Sequence, residues 1–143
     1  MEFKELTLEE LIQGYVRLDE EQAYQCIFCG EKFEEGLIYT SRGRSVSAHR
    51  AMQEHLFDEH GGVFESLLEM DKQVNGLSDS QKEVLEGMYR QKDNKALCEA
   101  MSISAATVRT HKFNLQKMKR EARVFLAIME QIENEELVAA RKR

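Results

Sequence analysis

Cys26 and Cys29, followed by His55 and His60, give the spacing C-x2-C-x25-H-x4-H. No other feature limits the fold of the first half of this chain so closely. Two thiolates in a tight turn and two imidazoles on one helix form the tetrahedral sulfur and nitrogen set that Zn²⁺ prefers. Such a site ties a turn to a distant helix at a single point. With all four ligands supplied by protein, no position stays open for water, so the expected ion is structural. His49 competes for a place in the set. His55 and His60 are preferred, because a helix that loosens in its last turn before Gly61-Gly62 accommodates their spacing. Cys98 is the odd third cysteine, a poor disulfide inventory, and reads as a small core residue.

The charge is divided unevenly. The formal net charge is −6, yet residues 1–76 carry 16 acids against 7 bases, and residues 77–143 carry 10 acids against 13 bases. Between Arg90 and Arg123 there are 9 bases against 3 acids. Screening beyond ~10 Å makes the local balance the relevant one. The acidic part suits a protein partner, the basic part a polyanion. Apolar runs fall far short of the ~20 residues that span a bilayer. The acidic first residues lack a signal-peptide core, so the expected location is cytoplasmic.

Thr7-Leu-Glu-Glu10 predicts a capping box and a short helix to about Tyr15. Leu37–Thr40 has β character and leads into a turn at Arg42-Gly-Arg44. Ser45 or Ser47 caps a helix running to His60, and Val63, Leu67 and Leu68 give another. Asn75-Gly76 is the clearest boundary. It predicts a small α+β metal-binding domain over 1–76 and an all-α domain over 77–143, making the fold mainly α. In the second domain Ser78, Asp93 and Ser104 head three helices, the last reaching the 130s. No proline interrupts them.

Leu77, Glu83, Val84, Leu85, Asn94, Lys95, Thr107, Val108, His111 and Asn114 fall in one register. The segment resembles the LuxR-type helix-turn-helix, which implies a transcriptional regulator binding double-stranded DNA. Small residues at Ala96, Cys98 and Ala100 suit a tight crossing of the first two helices. Val108, Leu115, Met118 and Ala122 form the inward face of the third helix. Arg109, Thr110 and Phe113 are placed to face bases, with Thr107, Lys112 and Lys117 holding the backbone. His111 lies toward the core side.

The N-terminal segment is similar to a two-cysteine, two-histidine zinc finger, with Phe33 after the knuckle and Met52 three residues before His55. It departs through 25 residues where about 12 are usual, an excess that an enlarged hairpin around Ile38–Arg44 would absorb. Its helix carries Glu54, Asp58 and Glu59, which would repel phosphate, so this finger is expected to hold its domain together or meet a protein.

Beyond the recognition segment, Leu115, Met118, Ala122, Phe125, Met129 and Ile132 continue at steps of three and four, a coiled-coil seam. A homodimer through this helix is the expected assembly, with Arg141-Lys-Arg143 a solvated tail. No general base or open metal site supports an enzyme. The competing readings are a zinc-stabilised protein-interaction adaptor and a nuclease that would need His49.

Overall fold

Helix α1 (Leu8–Gln13) begins at Thr7, whose hydroxyl accepts the Glu10 amide while the Glu10 carboxylate accepts the Thr7 amide. It stops two residues before the expected Tyr15, because Gly14 takes a φ of 87° and turns the chain. A Cβ at Gly14 would lie 2.7 Å from Val63 Cγ2. Glycine therefore permits both the left-handed turn and the close approach of the helix that holds Val63. The computed structural model describes residues 3–141, so Lys142 and Arg143 of the expected tail lie outside the described residues. Two units result, one ending at Gly76 and the other beginning at Leu77.

In the first unit, β1 (Tyr15–Leu18), β2 (Ala23–Cys26) and β3 (Lys32–Glu34) form an antiparallel sheet in chain order. Tyr15 pairs with Cys26, and Tyr24 with Phe33. The cysteine knuckle is the β2–β3 connection. Next, β4 (Tyr39–Ser41) and β5 (Arg44–Val46) form a two-stranded hairpin of their own. Arg42 and Gly43, its two turn residues, both have positive φ, at 53° and 76°. That turn matches the twist of the flanking strands. The extra residues between the cysteines and histidines thus build a second hairpin, not one enlarged one.

Helix α2 (Ala48–His60) is capped by Ser47 and ended by Gly61. Helices α3 (Val63–Leu68) and α4 (Lys72–Asn75) complete the unit. The centre of its core is Cys26, Met52 and Leu56, with Tyr15, Tyr24, Phe28, Phe33 and Val63 packed around them, and Val16, Ala23, Ile27, Val46 and Leu68 are buried as well. Burial of the larger of these side chains contributes about 1.5–3 kcal/mol each.

The second unit holds α5 (Asp79–Tyr89), α6 (Asn94–Met101), α7 (Ala105–Glu133) and α8 (Glu135–Arg141). Ser78, Asp93 and Ser104 cap the first three through their side chains. Val84, Leu97 and Val108 are fully buried, and Leu115 nearly so. The close crossing of α5 and α6 rests on Gly87, where a Cβ would come within 2.3 Å of Leu97 Cδ2. The small residues expected to serve it do so only in part: Ala96 and Cys98 are half-buried, and Ala100 is exposed. Likewise the inward face of α7 ends at Leu115. Ala122 is exposed, and Met118 reaches the surface, where its sulfur accepts Gln81 Nε2 at 3.5 Å. Asn134 breaks the long helix, its side chain accepting the amides of Glu136 and Leu137 to begin α8.

Candidate metal centre and nucleic-acid interface

The knuckle is a tight turn between two strands. Gly30 N donates to Cys26 O at 2.9 Å, and Cys26 N to Glu31 O at 2.9 Å. This aims both sulfurs at α2. From α2, His55 and His60 present their Nε2 atoms, and the four ligand atoms all lie within 4.8 Å of one another. Cys29 Sγ is 3.2 Å from His55 Nε2, Cys26 Sγ is 3.5 Å from His60 Nε2, and the two Nε2 atoms are 3.2 Å apart. Tetrahedral zinc bonds would set those edges at about 3.6 Å for sulfur to nitrogen and about 3.3 Å for nitrogen to nitrogen. The spacing fits one ion.

The surroundings fit as well. His55 Nδ1 lies 3.2 Å from Glu31 Oε2. A proton held there leaves the Nε2 lone pair free for a cation, the usual carboxylate–histidine support of a metal ligand. The signal for Glu31 in the sequence was only its place two residues after Cys29. Phe28 and Phe33 stack near His60 and His55, with ring centres 5.7 and 5.6 Å away. Burial pushes the Cys26 thiol up, against the pull of the Cys29 and Phe28 backbone amides. A bound cation would supply the charge that favours the thiolate. Cys26 and His55 are buried, His60 is half-buried and Cys29 is exposed.

His49 is elsewhere. Its Nε2 is 2.8 Å from the Tyr15 hydroxyl, and its ring packs on Tyr15 and Tyr24. Close by, Glu35 accepts from Arg17 and from the Tyr24 hydroxyl. Those two hydrogen bonds, Arg17's first, hold the Glu35 carboxyl below its usual value.

Of the three acids of α2 that the sequence suggests as a repulsive face, Glu54 and Asp58 are held by arginines, while Glu59 is exposed. Glu54 is 3% exposed and accepts from Arg44 and Arg50, with Arg42 at 3.8 Å. Burial would raise its carboxyl, but a Ser41 hydrogen bond and the arginines outweigh that and lower it. Asp58 is paired with Arg42. Ala48, Ala51 and Glu54 are all buried on the side of α2 that packs against β4. The second hairpin therefore covers this face of the helix.

In the second unit, α7 opens with Ser104 accepting the Thr107 amide. Arg109, Thr110 and Phe113 are exposed on its first turns, and Lys117 on the fourth, 3.7 Å from Glu121. Thr107 is exposed, with its hydroxyl 2.9 Å from that of Ser104. Thr110 returns its hydroxyl hydrogen to Ala106 O, leaving its methyl and an oxygen lone pair outward. Lys112 differs from the others: it is half-buried and donates to Asn94 Oδ1 at 2.6 Å. His111 is half-buried on the inner side. Ala106, exposed four residues before Thr110, adds a small group that sequence reasoning passed over for want of any chemistry of its own.

Among the described residues no helix is long and apolar enough to cross a membrane. Residues 75–130 match the family model described as bacterial regulatory proteins, luxR family. No curated protein and no solved structure matches the chain.

Proposed function

We propose that the protein is a sequence-specific, DNA-binding transcriptional regulator, acting as a homodimer in the cytoplasm, because residues 75–130 match the LuxR-family model. The observation that carries this reading is the exposed face of α7 within the matched segment: Arg109, Thr110 and Phe113 on the first turns, with Lys117 beyond. A guanidinium can bridge the O6 and N7 of guanine, and a phenyl ring can meet a thymine methyl. Thr107 and Lys117 would bond phosphates. Lys112 would act through Asn94, fixing the start of α6 against α7, more than through DNA.

The metal would be zinc, held by Cys26, Cys29, His55 and His60. Four protein ligands leave it no catalytic position, so its role would be to hold the sheet to α2. Dimerisation would use α7 beyond Leu115, where Val124, Phe125, Leu126, Ile128 and Ile132 are each more than half exposed. Helix-turn-helix dimers read half-sites about 10 base pairs apart, which an operator of this protein should display.

Selection of bound DNA from a random pool tests the reading. Enrichment of a two-fold symmetric sequence is expected, and Arg109→Ala should cost about 1–3 kcal/mol and relax preference at one base pair. No enrichment would favour the protein-interaction adaptor. A uniform loss across sequences would make Arg109 a phosphate contact.

A further inference from the structure

Where the end of α1, the start of β1 and helix α2 meet, the first unit has an open cavity of about 430 Å³, apart from the four metal-ligating side chains. Its apolar side is Leu56, Phe57 and Val63. Phe57 is 60% exposed there, an aromatic ring left facing water. Facing these are the guanidiniums of Arg42 and Arg50 and the amides of Gln13 and Gln53, together with Tyr15 and the Glu54 carboxylate; Gln13 Nε2 already donates to Tyr15 O at 2.7 Å. The charge balance is specific. Arg42, Arg44 and Arg50 gather around Glu54 and Asp58, three cations against two carboxylates, so the cluster at the cavity's edge keeps one positive charge, with Arg44 itself outside the lining. Donors are in surplus too. Arg50 engages Glu54 through Nε alone, and Arg42 binds Asp58 through Nε and Nη2. A guanidinium has five N–H groups, so both arginines retain several for a ligand.

We propose that this cavity binds a small organic monocarboxylate with an apolar body. The carboxylate would take the free N–H groups of Arg50 and Arg42, and the body would cover Phe57, Leu56 and Val63. The volume lies in the range of small-molecule sites, in which apolar walls carry a few fixed polar groups. The residual single charge matches a monoanion, and the apolar wall disfavours a bare inorganic one. In a regulator such a site would be an effector site. Its binding chemistry does not rest on the DNA reading, and it is measured without DNA.

The test uses the full chain and three probes: benzoate, benzamide and inorganic phosphate. Methyl resonances of Leu56 and Val63 are followed by NMR. Benzoate should give saturable shifts with a Kd near or below about 1 mM. Benzamide, lacking the charge, should bind about tenfold or more weakly, and phosphate should leave the methyls unmoved. Arg50→Gln should erase the preference for benzoate over benzamide. Phe57→Ala, at a site 60% exposed, should weaken both. Benzamide matching benzoate, phosphate matching benzoate, shifts that never saturate, or unchanged benzoate affinity in Phe57→Ala would each overturn the proposal.

Discussion

Gly87→Ala tests the geometry that sets α6 against α5. Alanine in a helix interior is favoured over glycine by about 1 kcal/mol, so an open site would become more stable. At Gly87 the added methyl would meet Leu97 Cδ2 at 2.3 Å, with Cγ at 3.1 Å and Cδ1 at 3.3 Å. Carbon atoms rest at about 3.5–4.0 Å. Leu97 is only 1% exposed, so any shift of its side chain must be made among packed neighbours. Overpacking of this kind costs about 1–3 kcal/mol, and a 2.3 Å approach belongs in the upper part of that range. The net expectation is a loss of about 1–2 kcal/mol, a factor of about 5–30 in the opening equilibrium. Amide hydrogen exchange at Leu97 and Val108 reads this locally, independently of the first unit. Leu97→Ala removes the obstruction, so the double substitution should be less destabilising than the sum of the two by about 0.5 kcal/mol or more. Increased protection in Gly87→Ala would refute the reasoning, because it would mean that the two helices do not need their close approach.

Glu31→Gln should weaken zinc binding about tenfold, measured by competition with a chromophoric chelator, since an amide holds the His55 Nδ1 proton less firmly than a carboxylate. Unchanged affinity would mean that Glu31 does not orient the ring. Stripping the metal with a chelator should unfold residues 3–76 while the α7 amides keep their exchange protection; loss of protection in both would show that the second unit needs the first. The Glu35 carboxyl is lowered in the folded protein, so its stabilisation is fully present above the unfolded value of about 4.3 and disappears as pH falls through the lower folded value. The stability difference between the native chain and Glu35→Gln should therefore be constant above about pH 5 and fall away as pH drops through the lowered folded value; a difference that persists in strong acid would assign the effect to packing.

How much could be read from the sequence depended on how far apart the interacting residues lie. Caps and stops involve neighbours, and Ser78, Asp93, Ser104 and Gly61 act where local chemistry puts them. The four candidate metal ligands were legible because their element types and spacing are restrictive, and the structure brings those side chains together. The β1–β3 sheet was hidden, since strands of three or four residues leave no alternation to detect. The α5–α6 contact was only partly read from Ala96, Cys98 and Ala100 for a related reason. A small residue on α6 is visible in the sequence, but whether it faces a neighbour depends on the register of two helices, and here the gap is made by Gly87 on the other one.

Charge was the most misleading signal. A count treats Glu54 and Asp58 as two exposed repulsive groups, yet one is buried beneath three arginines and the other is paired with Arg42. The same hairpin that carries Arg42 and Arg44 covers the Ala48–Ala51–Glu54 side of α2. The finger-like helix is thus kept from presenting that side by coverage, and its acids serve as anchors for the covering hairpin. On the proposed reading, the residues that lengthen the C-x25-H interval would let this unit serve as a scaffold while α7 supplies the face that meets DNA. Replacing Glu54 by glutamine would release the arginines without exposing the alanines, so a gain of DNA affinity in Glu54→Gln would show that charge, and not coverage, had been the limit.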